Sequence, residues 1–142
     1  MELVVVDACV AAKWLFSERD TAAANELLFA ELRFGAPSII RVEVAGAALR
    51  KFRLGAVDEA SARNACERWE SVLSERFVQL VSNDELHEAA VALAFRIQHT
   101  LVDCLYLAAA QILDCRLITA DRPFFERAGT LYPRIELLRQ AA

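Results

Sequence analysis

The chain has no hydrophobic run long enough to cross a membrane. Its longest clearly apolar, uncharged stretch is Cys104 to Leu113, closed by Asp103 and Asp114, well short of the ~18 residues a span needs. The N-terminal stretch carries Glu2 and Asp7 and no basic residues ahead of an apolar run, so no signal peptide is expected. Positive charge is not in excess: 16 Lys and Arg face 20 Asp and Glu, a net charge of −4. That excludes a strongly basic nucleic-acid clamp. It does not exclude nucleic acid as a substrate, because a bound metal can supply positive charge locally. No Cys-x-x-Cys occurs among Cys9, Cys66, Cys104 and Cys115, and neither His87 nor His99 stands beside a cysteine pair. A structural zinc site is thereby disfavoured. The cysteines lie in apolar runs, where a free thiol packs as a small hydrophobe, and this usage points to a reducing, cytoplasmic setting. No Ser-His-Asp or Cys-His order suited to acyl transfer is present. Repeats, linkers and low-complexity stretches are also missing.

What remains is 142 residues, 56% of them hydrophobic and 25% charged. That is the size of one domain, here residues 1–142, and it excludes a disordered chain. The apolar share is above the usual level and suggests elements buried on both faces, as in a parallel sheet under helices. Leu3 to Val6 reads as a buried strand ending at Asp7, followed by helical residues Ala8 to Phe16. Ala22 to Phe34 reads as a second helix, with Gly35 as its stop. Pro37-Ser38 is expected to open a third helix, Ser38 capping it, that runs through Glu43 to Phe52 and stops near Gly55. Asp58 caps a fourth helix to about Arg76, and Phe77 to Val81 is strand-like. Ser82 to Glu85 and Thr100 to Asp103 match capping boxes that start helices ending near Gln98 and Asp114. Arg116 to Thr119 is a strand, Arg122-Pro123 opens a loop, and Arg134 to Leu138 is an edge strand or a final helix. Strands alternating with helices argue for one α/β domain with a mostly parallel central sheet flanked by helices.

Four acids stand out. Asp7 and Asp121 follow strands at the carboxyl end, where open α/β sheets build their sites. Glu43 and Asp103 lie in apolar helices with no Lys or Arg at i±3 or i±4 to pair with. A half-buried carboxylate without a cation is costly, and several converging would repel each other. A divalent cation such as Mg²⁺ or Mn²⁺, which prefers hard oxygen ligands, resolves the conflict. Each acid also has a plain structural role open to it. Asp7 can cap the helix at Ala8, Glu43 can reach solvent, Asp103 can partner Thr100, and Asp121 can start a turn before Pro123.

The chain resembles the PIN-domain family, in particular the VapC-type toxins of toxin–antitoxin pairs. The resemblance rests on Val4 to Val10 with Lys13-Trp14, and on Ala36-Pro37-Ser38 through Glu43 to Lys51. His99 to Ala108 and Leu117 to Asp121 complete it, and together the four stretches span essentially the whole chain. Successive acids are 36, 60 and 18 residues apart. The resemblance implies a PIN fold and a Mg²⁺- or Mn²⁺-dependent ribonuclease. It maps the family's acids onto Asp7, Glu43, Asp103 and Asp121, and its Thr-x-Asp element onto Thr119 and Asp121. It also implies an RNA substrate, a VapB-like antitoxin and a homodimer. Where many relatives carry Tyr before the third acid, this chain has Val102, a departure expected to alter packing or substrate contact.

Phosphodiester hydrolysis needs an activated water and a neutralised developing charge, both of which carboxylate-held metal supplies. Asp7, Asp103 and Asp121 are expected to hold the metal, Glu43 to assist through water, and Thr119 to hydrogen-bond a ligand or phosphate. The basic cluster Arg50, Lys51 and Arg53 suits either the helix C-terminus or a contact with RNA or antitoxin. Lys13 can approach the acids or be solvated, and His87 and His99 are expected to be structural. Leu27, Leu28, Phe29, Leu32, Trp69, Val72 and Leu73 supply core, with some left for a partner groove. Competing readings are a phosphoacceptor receiver domain, a PIN-like binding subunit without catalysis, and a PIN nuclease outside a toxin–antitoxin pair. The first is disfavoured because Ala8 stands where a second acid belongs, and Thr119-Ala120-Asp121 where a Lys does.

Overall fold

The computed structural model describes residues 1–141. Five strands form one sheet: β1 (Glu2–Val6), β2 (Leu32–Pro37), β3 (Val78–Val81), β4 (Arg116–Thr119) and β5 (Ile135–Leu137). Their order is β3-β2-β1-β4-β5, and every pair is parallel. The helices are α1 (Ala8–Ala12), α2 (Thr21–Phe29), α3 (Ile40–Arg53), α4 (Glu59–Ser74), α5 (Asn83–Ile97), α6 (Leu101–Leu113), α7 (Arg122–Gly129) and α8 (Leu138–Ala141). The α/β reading holds, with the sheet wholly parallel.

Parallel strands covered on both sides read as continuous apolar runs. Val4, Val5, Val6, Leu117 and Ile118 are fully buried accordingly. The most apolar helix, α6, lies on the sheet, burying every residue from Cys104 to Ala110. Its closeness explains Gly35. A Cβ there would come within 3.0 Å of Leu113 Cδ1, so the glycine admits α6 over the middle of β2.

Several local expectations are corrected. The second helix ends at Phe29, and Gly35 lies inside β2 instead of stopping a helix. Helix α1 ends at Ala12, with turns where helix was expected to continue to Phe16. Ser38 does not cap α3. Its Oγ accepts from the Asn83 amide at 3.1 Å, while Asn83 Oδ1 accepts from the Ile39 amide at 3.0 Å. This reciprocal brace ties the start of α3 to the start of α5, a role set by a residue 45 positions away. Arg122-Pro123 opens α7 and not a loop, because Pro is well suited to the first helical turn. Residues 135–141 supply both a short edge strand and a terminal helical turn. The other elements stand within a few residues of their expected bounds: Asp58 caps α4 through the Ser61 amide, and Ser82 and Thr100 cap α5 and α6. Leu27 and Trp69 are core, whereas Phe29 is almost fully exposed.

In this strand order the chain moves outward from β1 in one direction and from β4 in the other. The crevice at the carboxyl ends of β1 and β4 is the switch point where ligands bind in such sheets.

Candidate metal centre

Asp7 follows β1 directly and is only 5% exposed, its carboxyl group engaged on both oxygens. Oδ1 accepts from the Val10 amide at 3.2 Å, capping α1, and from the Cys9 thiol at 2.7 Å. Oδ2 accepts from the Thr119 hydroxyl, and Thr119 Oγ1 in turn accepts from the Asp121 amide at 3.0 Å. Thr119, fully buried at the end of β4, therefore links the first and last acids. Asp121 Oδ1 accepts from the Phe124 amide at 3.2 Å and caps α7. The capping roles open to Asp7 and Asp121 are thus real, and they aim the same carboxylates at the switch point.

Asp103 enters from the first turn of α6. Thr100 Oγ1 accepts from its amide at 3.3 Å, but the Asp103 carboxylate does not return the bond. It turns to His99, whose Nε2 lies 2.6 Å from Asp103 Oδ2. Glu43, in the first turn of α3, accepts from the buried Tyr106 hydroxyl at 2.6 Å. Donor atoms of His99, Asp103 and Asp121 lie within 4.8 Å of one another.

The electrostatics follow from this convergence. Burial pushes the Asp7 carboxyl up to about 6, against the hydrogen bonds of Cys9, Thr119 and Val10, and the Asp103 charge adds to the rise. Burial also raises Glu43, with Asp103 again adding and Tyr106 opposing. No Lys or Arg pairs with any of the four acids among the described residues. The positive ends of α1, α3, α6 and α7 face them instead. Two carboxylates without a Lys or Arg partner, Asp103 and Asp121, with donor atoms within 4.8 Å of each other and of an imidazole's, are a donor set that could hold a divalent cation.

The structure brings Asp7, Asp103, Asp121 and Thr119 together, with Glu43 joined to them through Tyr106 and the field of Asp103. Three neighbours have roles that the sequence does not announce: Cys9, Tyr106 and His99. Tyr106 and His99 are at i+3 and i−4 from Asp103, on one face of the helix or just ahead of it. Beside the acids, Ala120 forms part of the wall of a cavity of about 220 Å³ that also presents Lys13, Arg19, Arg122 and Arg139, the last paired with Asp20 of the same wall at 3.2 Å. Lys13 additionally pairs with Glu18 at 3.2 Å. Of the basic cluster at the end of α3, Lys51 holds the same Glu18 at 2.7 Å.

A wholly parallel, doubly wound sheet, with acids that no Lys or Arg pairs at its switch point, defines an α/β protein with a cluster at the strand ends that could bind a metal ion. The chain belongs to the PIN-domain family, whose profile matches residues 4–130. Two solved structures share the fold. A toxin–antitoxin complex from Klebsiella pneumoniae is 22% identical, with a TM-score of 0.67 over 95% of this chain and 97% of that one. PAE2754 from Pyrobaculum aerophilum is 18% identical, with a TM-score of 0.68 over 99% of this chain and 93% of that one. No curated protein sequence matches.

Proposed function

We propose that this protein is a metal-dependent endoribonuclease, the toxin of a VapBC-type toxin–antitoxin pair acting in the cytoplasm. The observation that carries the reading is the cluster of Asp103, Asp121 and His99 at the switch point of a PIN fold, with Asp7 tied to Asp121 through Thr119 and Glu43 within the field of Asp103. Asp7, Asp103 and Asp121 would hold Mg²⁺ or Mn²⁺, with Glu43 assisting through water. When bound, the cation supplies neutralisation of the charge developing on phosphate and lowers the pKa of water. The chain's own groups do the rest. Thr119 fixes the Asp7 carboxylate and the Asp121 backbone. Tyr106 holds Glu43 on the pocket side. The cavity at Ala120 offers Arg122 to the sugar–phosphate backbone, which an acidic pocket alone would repel. An antitoxin partner is supported by the likeness to the Klebsiella toxin–antitoxin complex and by exposed Leu49 and Phe52 on α3. A homodimer is part of the same reading.

The test is cleavage of a structured RNA mixture by antitoxin-free protein with Mg²⁺, with Mn²⁺ and with EDTA, beside Asp7→Asn. Metal-dependent cutting that the variant lacks is expected. Cutting that survives Asp7→Asn would refute the site. Folded wild type that binds RNA in metal without cutting any of it would favour a PIN-like binding subunit. Cleavage with no antitoxin gene beside it would favour a PIN nuclease outside a toxin–antitoxin pair.

A further inference from the structure

His99 is built into the centre more firmly than a packing histidine needs to be. Helix α5 ends at Gln98 in the left-handed region, φ +53°, which turns the chain sharply into α6. The corner is then tied to α7, because Arg127 Nη1 donates to the Gln98 carbonyl at 2.6 Å. The imidazole stacks on Phe124, 5.1 Å between centroids at 18°. Phe124 is the residue whose amide Asp121 caps. One turn of α7 therefore fixes both the Asp121 carboxylate and the plane of the His99 ring.

The ring itself has one useful end. Its side chain is 10% exposed, and Nδ1 is buried with no hydrogen-bond partner among the described residues. Nε2 points the other way, at Asp103, within 4.8 Å of a donor atom of Asp121 as well. Its hydrogen bond to Asp103 therefore also places an imidazole donor beside both the Asp103 and the Asp121 carboxylates.

Resting on the metal-centre reading above, we infer that His99 Nε2 is a direct ligand of the cation held by Asp103 and Asp121. We infer also that it tilts the centre toward Mn²⁺ and other first-row transition ions over Mg²⁺. The chemistry is that of donor preference: Mg²⁺ takes oxygen ligands almost exclusively, whereas imidazole is a good donor to transition ions. Donors on opposite sides of one ion with bonds of about 2.1 Å are about 4.2 Å apart. All three donor atoms lie within 4.8 Å of one another, and the 2.6 Å contact between His99 Nε2 and Asp103 Oδ2 would open to admit the ion between them.

The experiment is pulsed electron paramagnetic resonance of Mn²⁺ alone on untagged full-length protein, reading nitrogen modulation of the metal signal. The chain has two histidines, and the other, His87, is exposed on α5. Wild type and His87→Gln should both show a bound imidazole nitrogen, and His99→Gln should lose it. In parallel titrations His99→Gln should weaken Mn²⁺ binding about tenfold or more while moving Mg²⁺ binding less than about threefold. The wild-type and His87→Gln spectra decide the matter even if His99→Gln does not fold. Bound Mn²⁺ without nitrogen modulation would overturn the inference and leave the carboxylate centre standing. No Mn²⁺ bound at all would overturn the centre itself.

Discussion

Replacing Asp7 by Asn should make the metal-free protein more stable at neutral pH. The Asp7 carboxyl is held near 6, mainly by burial, against 3.8 for an ordinary aspartate. A carboxyl raised in the folded state binds its proton more tightly there than in the unfolded chain. Its contribution is thus most favourable below pH ~4 and is lost as pH rises through about 6. A shift of about two units corresponds to about 3 kcal/mol across that window. Asparagine carries no charge to desolvate. It can keep the acceptor for the Val10 amide, and its Nδ2 can donate to Thr119 Oγ1 once that hydroxyl turns. The measurement is urea unfolding in EDTA from pH 4 to 8, followed by Trp14 and Trp69 fluorescence. With a slope of about 2 kcal/mol per molar urea, wild type minus variant should change by roughly 1.2 M in midpoint between pH 4 and 7. Other carboxylates, including the raised Glu43 and the lowered Glu2, cancel in that difference. Adding Mn²⁺ at about 100 times its dissociation constant should return about 2.7 kcal/mol to wild type, and much less to the variant. A pH-independent difference, or a variant less stable than wild type at pH 7.5, would refute the reasoning.

Further expectations follow from single contacts. Tyr106→Phe removes the 2.6 Å bond to half-buried Glu43 and should cost about 1–2 kcal/mol at pH 7, read by the same unfolding assay. Gly35→Val places a branched side chain against Leu113 and should cost about 2–3 kcal/mol. Gly46→Ala, on α3 with open space around it, should instead gain about 1 kcal/mol. Arg122→Ala should raise KM for RNA several-fold at constant kcat and flatten its salt dependence by about one phosphate contact; a fall in kcat alone would remove the cavity from the substrate path.

The elements legible in the sequence are those with a local cause. Strand β1 is a β-branched run, and α4, α5 and α6 each begin at a side-chain cap that the structure retains. Strand β2 is not legible because Gly35 and Pro37 are strand-breaking residues by local reckoning. The glycine is there for Leu113, 78 positions away, and Pro37 closes the strand, where β3 continues the sheet as edge. The apolar residues ahead of it look like a continuation of α2, and only Ala30, which leaves the helix in extended backbone, and Glu31 separate them. Ser38 has a cap's identity and a cap's place, but its partner is the start of another helix. Such signals are tertiary, and no window along the chain contains them.

The site is more legible than the strand that misleads, and for a physical reason. An acid that ends a buried strand, or lies on a helix with no cation within a turn, carries an unbalanced desolvation penalty that shows in sequence as a missing partner. That argument finds residues that need a cation; it cannot find residues that hold them. Cys9, Tyr106 and Thr119 are donors to the acids, and only Thr119 stands out along the chain. His99 reads as structural there because phosphodiester hydrolysis needs no imidazole. Its position four residues ahead of Asp103 acquires meaning only when the turn at Gln98 and the stack on Phe124 fix the ring. The contacts that serve the plain structural roles also orient the carboxylates of the proposed site. Asp7 and Asp121 cap α1 and α7 with Oδ1 of each carboxylate, so the helix ends that offset their charge also set their direction. A cap explanation therefore does not compete with a site explanation here: capping is how this fold points like charges at one place.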